Sequence, residues 1–264
     1  MYRHLSADPH DVLDKDWQPP SSIPLRSLRV ADPAAAQITD AGEPLVILSG
    51  ITCINAYANT GWSGTDSTMW IRETVLSKLL HVQDRLPDPF SLGIFDAWRS
   101  MTTISALYRH FYGPGSTLKP GFLADPNHLS IVPPHQTGAA VDLTLCVSGT
   151  PLSLGTSFDE FTPLAARSAF EEPGSEVLDD LGESRCAQIR ELRRLLDDHM
   201  CSAGFAPNDQ EWWHFSYGDQ EWAVQYPEVS SVGESSTPDQ PTAIFGGTQP
   251  IPSSAPRSSP KVAP

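Results

Sequence analysis

The segment Glu211-Trp212-Trp213-His214-Phe215-Ser216-Tyr217 constrains this chain more than any other stretch. Its aromatic side chains make a strand-like run that leaves water for a core, and the run carries a carboxylate and a histidine into that core with it. On a regular strand, positions 211 and 214 face opposite sides. The two can share one site only if Glu211 sits on an irregular entry and His214 on the strand proper. The same residues also fit a surface acid beside a core histidine, and the segment alone leaves both readings open.

A chain of 264 residues can bury one sizeable core, and a single catalytic domain is expected. With 17 basic against 32 acidic residues, the net charge of -15 argues against nucleic-acid backbones and anionic membranes as main partners and suits a small or zwitterionic substrate. No apolar run approaches the roughly 20 residues that span a bilayer. The start, Met1 to Asp8, lacks the charged-then-apolar layout of a signal peptide, so a cytoplasmic location is expected. Cys53, Cys146, Cys186 and Cys201 are scattered, form no Cys-x-x-Cys pair and are read as buried thiols. Residues 1–42 are read as an N-terminal arm in which Leu25, Leu28 and Val30 can pack on the domain. Residues 43–227 are the catalytic domain, and 228–264, rich in Ser, Pro, Gly and Thr, a disordered tail.

Between the ends, strand and helix patterns mix. Pro44 to Leu48 has the length of a strand, and Ile71, Val75, Leu79, Val82 and Leu86 recur at helical spacing after Asp66 or Ser67 as a cap, with Pro87 as the stop. Phe90 to Trp98, Ala139 to Val147 and Trp213 to Tyr217 read as strands. Thr102 to Tyr112 and the run through Ile189, Leu192, Leu196 and Met200 read as helices, the latter closed by Gly204. Strands and helices do not alternate strictly, which predicts an α+β fold.

A second constellation is His135-Gln136-Thr137-Gly138-Ala139-Ala140-Val141-Asp142. Gly138 and the small alanines permit a tight turn, so the histidine before it and the aspartate in the following strand can converge on one ion. Such a pair also occurs on ordinary polar surface. A catalytic zinc commonly keeps three protein ligands and leaves a fourth position to water. His135, Asp142 and His214 make such a set, and Glu211 is then free to act as a base. Asp96-Ala97-Trp98-Arg99 ends a predicted strand from which the guanidinium can project toward a developing oxyanion; a surface salt bridge is the plainer reading. Asp159 and Glu160 lie between Phe158 and Phe161, where they can receive a substrate ammonium or stay solvated. His81, His110, His128 and His199 are read as structural or solvated.

Four blocks in this order, Asn55 to Gly61, Asp96 to Arg99, His135-x-x-Gly138-x-Ala140-x-Asp142 with Gly155 to Asp159, and Glu211 to Phe215, resemble the VanX-type D-alanyl-D-alanine dipeptidases. These are zinc enzymes related to D,D-carboxypeptidases and to the hedgehog-like zinc fold. The resemblance runs from about Leu45 to Trp222. It implies a single zinc-peptidase domain with a central, mostly antiparallel sheet flanked by helices, and one Zn2+ per chain on His135, Asp142 and His214. Glu211 is then general base and acid, Arg99 stabilises the transition state, and the reaction is hydrolysis of D-Ala-D-Ala, or a similar short D-amino-acid dipeptide, by metal-activated water. Two departures stand out. Pro133-Pro134 replaces serines that in the family lie near the substrate carboxylate, so Pro134 falls at the substrate-binding wall without a hydroxyl or an N–H. Ser100 replaces the proline that usually follows the arginine. The alternatives are a related D,D- or L,D-carboxypeptidase acting on peptidoglycan stem peptides, and a non-catalytic hedgehog-like zinc-binding domain, which would need neither Glu211 nor Arg99.

Overall fold

Every residue of Ala140–Val147 is buried, as an apolar run of strand length is when it forms the middle of a covered sheet. The computed structural model describes residues 2–14, 17, 23–119, 121–230 and 240–250. In chain order the strands are β1 (Gln37–Ile38), β2 (Leu45–Ile47), β3 (Thr52–Cys53), β4 (Trp70–Arg72), β5 (Phe90–Asp96), β6 (Ala140–Val147), β7 (Thr150–Pro151), β8 (Ala206–Pro207), β9 (His214–Ser216) and β10 (Thr242–Ala243). The helices are α1 (Pro9–Val12), α2 (Ala56–Asn59), α3 (Glu73–Arg85), α4 (Met101–Phe111), α5 (Ser175–Leu181), α6 (Glu183–Ser202), α7 (Gln220–Gln225) and α8 (Pro227–Ser230).

The fold is α+β. Its main sheet runs β3-β5-β6-β9-β8, with β7 paired to the end of β6. It is mixed, because β3 lies parallel to β5 while β5, β6, β9 and β8 pair antiparallel. Leu92, Ile94, Val141, Leu143 and Leu145 from this sheet join Val75 and Leu79 of α3 and Leu192, Leu196 and Met200 of α6 in one core. The register aligns Asp96 with Asp142 and Asp142 with His214, so three polar residues form a row across the sheet. An irregularity between Ile94 and Asp96 breaks the ladder at that row.

Three expectations need correction. Ile71 lies in β4, not in a helix; it pairs with Val46, and the helix starts at Glu73. The helical spacing carried back to Ile71 because a strand residue facing the same core extends the same apolar stripe. Asp66 caps only its own turn, accepting from the Thr68 N–H. In the arm, Val30 is fully exposed while Leu25 and Leu28 are half-buried. Docking there falls to Tyr2 and Leu13, both buried, and the Trp62 Nε1–H donates to the Tyr2 hydroxyl at 2.8 Å.

The third correction is the tail. Pro227–Ser230 is helical, β10 pairs with β1, and Phe245 is buried in the main core. The Gly218 carbonyl accepts from the N–H groups of Ile244 and Phe245, and the Trp98 indole donates to the Thr248 carbonyl. Two large apolar residues in an otherwise polar stretch suffice to order residues 240–250, which an average composition conceals. The rest of the expected tail, 231–239 and 251–264, lies outside the described residues. All four cysteines are free, Cys146, Cys186 and Cys201 buried as expected and Cys53 exposed. No helix among the described residues is long and apolar enough to cross a membrane.

Candidate active site

His135 is carried by the 3-10 turn Pro134–Thr137, which ends at Gly138 in the left-handed region, φ 71°. A Cβ at Gly138 would fall 2.3 Å from Leu45 Cδ2, so glycine is required both by the backbone and by the close approach of β2. The His135 Nδ1–H donates to the Ala97 carbonyl at 2.7 Å, which leaves the Nε2 lone pair facing inward. Asp142 on β6 and His214 on β9 stand opposite each other. His135 Nε2 lies 3.2 Å from His214 Nδ1 and 3.3 Å from Asp142 Oδ2, and His214 Nδ1 lies 3.0 Å from Asp142 Oδ1. Donors bound tetrahedrally to one ion at about 2.0–2.1 Å stand about 3.3–3.4 Å apart; the contacts here, which use both oxygens of Asp142, are close to that spacing, and one ligand atom from each residue lies within 4.8 Å of the others. The three residues are the group among those described that can hold a metal ion.

Without an ion, Asp142 and His214 set each other's charge. Burial opposes charge on Asp142, yet the imidazoles of His135 and His214 hold its carboxyl well below the usual range. Burial also opposes charge on His214, but the hydrogen bond to Asp142 and its negative charge push the imidazole up to about 9.

Glu211 precedes β9, in a turn where the His214 N–H donates to the Glu211 carbonyl. The irregular entry demanded by the spacing is therefore present. Both side chains reach one cavity, with Glu211 Oε2 3.9 Å from His214 Nδ1. Burial raises the Glu211 carboxyl well above its ordinary value, the first requirement for a group that accepts and returns a proton near neutral pH.

Arg99 is not on the surface. Its Nε donates to Asp96 Oδ2 at 2.9 Å, and one Nη donates to Asp142 Oδ2 at 3.2 Å and the Tyr57 hydroxyl at 3.3 Å. The guanidinium stacks 4.7 Å from the Tyr57 ring centroid. Its other Nη has no hydrogen bond among the described residues and is free for a ligand. Ser100, in place of a proline, caps α4 by accepting from the Thr103 N–H and donates to the Gly64 carbonyl. The substitution thus secures the start of α4 beside the arginine.

Asp159 and Glu160 part ways. Glu160 accepts from the Ser157 N–H in its own loop. Asp159, at φ 54°, turns into the cavity and accepts from the Tyr57 hydroxyl at 2.9 Å. Burial, opposed by the charge of Arg99, pushes its carboxyl up to about 8. Tyr57 therefore ties Arg99 to Asp159, a role no sequence pattern assigned, although its block, Asn55 to Gly61, carries part of the resemblance. Asp96 is a second such residue. Pro133 and Pro134 both line the cavity, as does His128, whose Nδ1 accepts from the N–H groups of Ser130 and Ile131 and so holds its own loop. The cavity encloses about 180 Å³.

A family model described as D-ala-D-ala dipeptidase matches residues 117–232. That range holds His135, Asp142, Asp159, Glu211 and His214. The D-alanyl-D-alanine dipeptidase of Synechocystis sp. (strain ATCC 27184 / PCC 6803 / Kazusa) is 31% identical, across 73% of this chain and 89% of its own length. The chain belongs to the D-alanyl-D-alanine dipeptidase family. A crystal structure of the vancomycin resistance D,D-dipeptidase VanXYg, in complex with a D-Ala-D-Ala phosphinate analogue, is 20% identical over 74% of this chain and 64% of that chain, with a TM-score of 0.34. At that score the likeness adds nothing to the sequence match. As a member of the D-alanyl-D-alanine dipeptidase family, the chain is a metallopeptidase, and the metal dependence of that family matches the His-Asp-His donor set.

Proposed function

We propose that this chain is a zinc-dependent dipeptidase that hydrolyses D-Ala-D-Ala or a similar short D-amino-acid dipeptide. The observation that carries the reading is one cavity of about 180 Å³ lined by His135, Asp142, His214, Glu211, Arg99 and Asp159. That volume is below the roughly 300–1,000 Å³ typical of sites for drug-sized ligands and suits a dipeptide. Two imidazoles and one carboxylate are an ordinary donor set for catalytic zinc, and His135, Asp142 and His214 would hold it. Bound there, zinc supplies a Lewis acid that polarises the scissile carbonyl and makes water a nucleophile near neutral pH.

The chain's own residues do the rest. Glu211 takes the proton of the attacking water and delivers it to the leaving amine. Arg99, held by Asp96 and Tyr57, donates its free Nη to the carbonyl oxygen as negative charge develops. Asp159 receives the substrate ammonium, and Pro133-Pro134 forms the wall near the free carboxylate without offering it a donor. The catalytic domain is assigned to 43–227, of hedgehog/D,D-peptidase-like architecture, with segments on either side packed against it. Free thiols and a substrate drawn from peptidoglycan turnover are consistent with a cytoplasmic enzyme.

One observation favours a second reading. An open groove of about 1320 Å³ begins at Asp159 and Phe122, beyond the cavity, and has room for the rest of a stem peptide. The test incubates zinc-loaded protein with D-Ala-D-Ala, N-blocked D-Ala-D-Ala and a stem pentapeptide, with Glu211→Ala as the control. Release of alanine from the free dipeptide alone is expected. Release from the pentapeptide alone would move the assignment to a carboxypeptidase, and silence on all three with stoichiometric zinc would leave a binding role.

A further inference from the structure

The two histidines of the cluster are not equally supported. The outer nitrogen of His135 is satisfied by the Ala97 carbonyl at 2.7 Å. The outer nitrogen of His214, Nε2, is buried and has no hydrogen-bond partner among the described residues. A neutral imidazole has one N–H, so a ring that presents its Nδ1 lone pair to an ion must keep its proton on Nε2. That N–H needs an acceptor, and histidines that bind metals almost always have a carboxylate or carbonyl in this place.

Glu221 Oε2 lies 3.8 Å from His214 Nε2. The distance is too long for a hydrogen bond in this arrangement. The backbone that carries Glu221 is nevertheless fixed relative to His214. Asp219 Oδ1 accepts from the Trp222 N–H, capping α7, and from the hydroxyl of Ser216, two residues after His214 on β9. Gly218, at φ 89°, makes the turn between them, and its carbonyl is held by Ile244 and Phe245. The Glu221 side chain is 31% exposed and lines the cavity, so it can swing through the short remaining gap without repacking the core.

We propose that Glu221 is a positioning residue that accepts the Nε2 proton of His214 and so fixes the imidazole with Nδ1 turned toward the metal-binding cluster. A carboxylate there also makes the ring a stronger donor than a neutral acceptor would. The inference rests on the reading that His135, Asp142 and His214 hold zinc. It adds a residue that the glutamate-to-histidine motif does not include, seven positions after His214 and on a different element.

The test measures zinc affinity of the full chain by competition with a chromogenic chelator, for the wild type, Glu221→Gln and Glu221→Ala. Histidine 15N spectra of the zinc-loaded proteins report the His214 tautomer, and circular dichroism with melting of the metal-free forms reports the fold. Glu221→Ala is expected to weaken zinc binding about 10- to 100-fold, with the metal-free melting temperature unchanged. Glu221→Gln, which keeps an acceptor oxygen, should fall between the two and retain the Nε2–H signal. If Glu221→Ala does not fold, the glutamine variant decides, and wild-type affinity in it overturns the proposal. So does a raised KM with zinc affinity intact, which would make Glu221 a substrate contact. A wild type that binds no zinc overturns the metal reading itself, and this inference with it.

Discussion

Arg99 holds Asp96, Asp142 and Tyr57 at once, so removing it should do more than delete the oxyanion donor proposed above. Loss of a preorganised donor costs about 10²–10³ in kcat. Arg99→Ala also strips Asp142 Oδ2 of its charged partner, so zinc retention during dialysis should fall as well, which metal analysis of the purified variant would reveal; Arg99→Lys should retain more zinc than Arg99→Ala. At Asp159, burial lifts the carboxyl to about 8. An ammonium is gripped only by the ionised form. The sign follows: kcat/KM should fall as pH drops through an acid limb displaced from the usual carboxylate range toward 8. Asp159→Asn should raise KM and lose that limb, and a limb that survives in the variant would assign it to another group. His135, Asp142, Glu211 and His214 were legible in the sequence because metal and proton chemistry demand those residue types at close spacing. Tyr57, Asp96 and Glu221 were not, since each enters the site through a strand register or a helix placement that no local pattern encodes.

At the scale of elements, the site is a row across β5, β6 and β9 with a short turn feeding each end. β5, β6 and α4 could be read almost to their ends because long apolar periodicity dominates local propensity there. The two-residue strands β3, β8 and β10 could not, because they exist only through their partners. The largest surprise is the segment 240–250, which braces the site from behind. Phe245 fills the core and its guanidinium neighbour Arg72 donates to the carbonyls of Gly246 and Thr137, the latter in the turn that carries His135. Phe245→Ala should therefore destabilise the protein by about 3–5 kcal/mol. The melting temperature should fall by roughly 10 °C, and zinc affinity should weaken with it through the His135 turn. A melting temperature within about 1 °C of wild type would mean that this segment contributes little to the fold.

The whole molecule carries a net charge of -15 and yet concentrates buried carboxyls around one cavity. Without metal, three of the groups there titrate in one direction. Burial raises Asp159 to about 8 and Glu211 well above its ordinary value, and Asp142 holds His214 up near 9 against the effect of burial. Each binds its proton more tightly folded than unfolded, where carboxyls titrate near about 4 and imidazole near about 6.5. The folded state therefore binds more protons than the unfolded one between about pH 4 and 9, and its stability must fall as pH rises through that window. Asp142 has the opposite sign, but its contribution is lost only below the ordinary carboxylate range and does not change between pH 5 and 9. Growing negative charge adds self-repulsion in the same direction. On the proposed function zinc should reverse the trend, because binding through His214 needs the ring without its Nδ1 proton and so strengthens with pH. Calorimetry of the chelator-stripped protein should give a melting temperature that declines from pH 5 to 8.5, while the gain on adding zinc grows over the same range. A metal-free melting temperature that rises with pH would mean these carboxyls are already ionised and paired without the ion, and the cavity would then be a preformed salt-bridge network, with no charge for a metal to relieve.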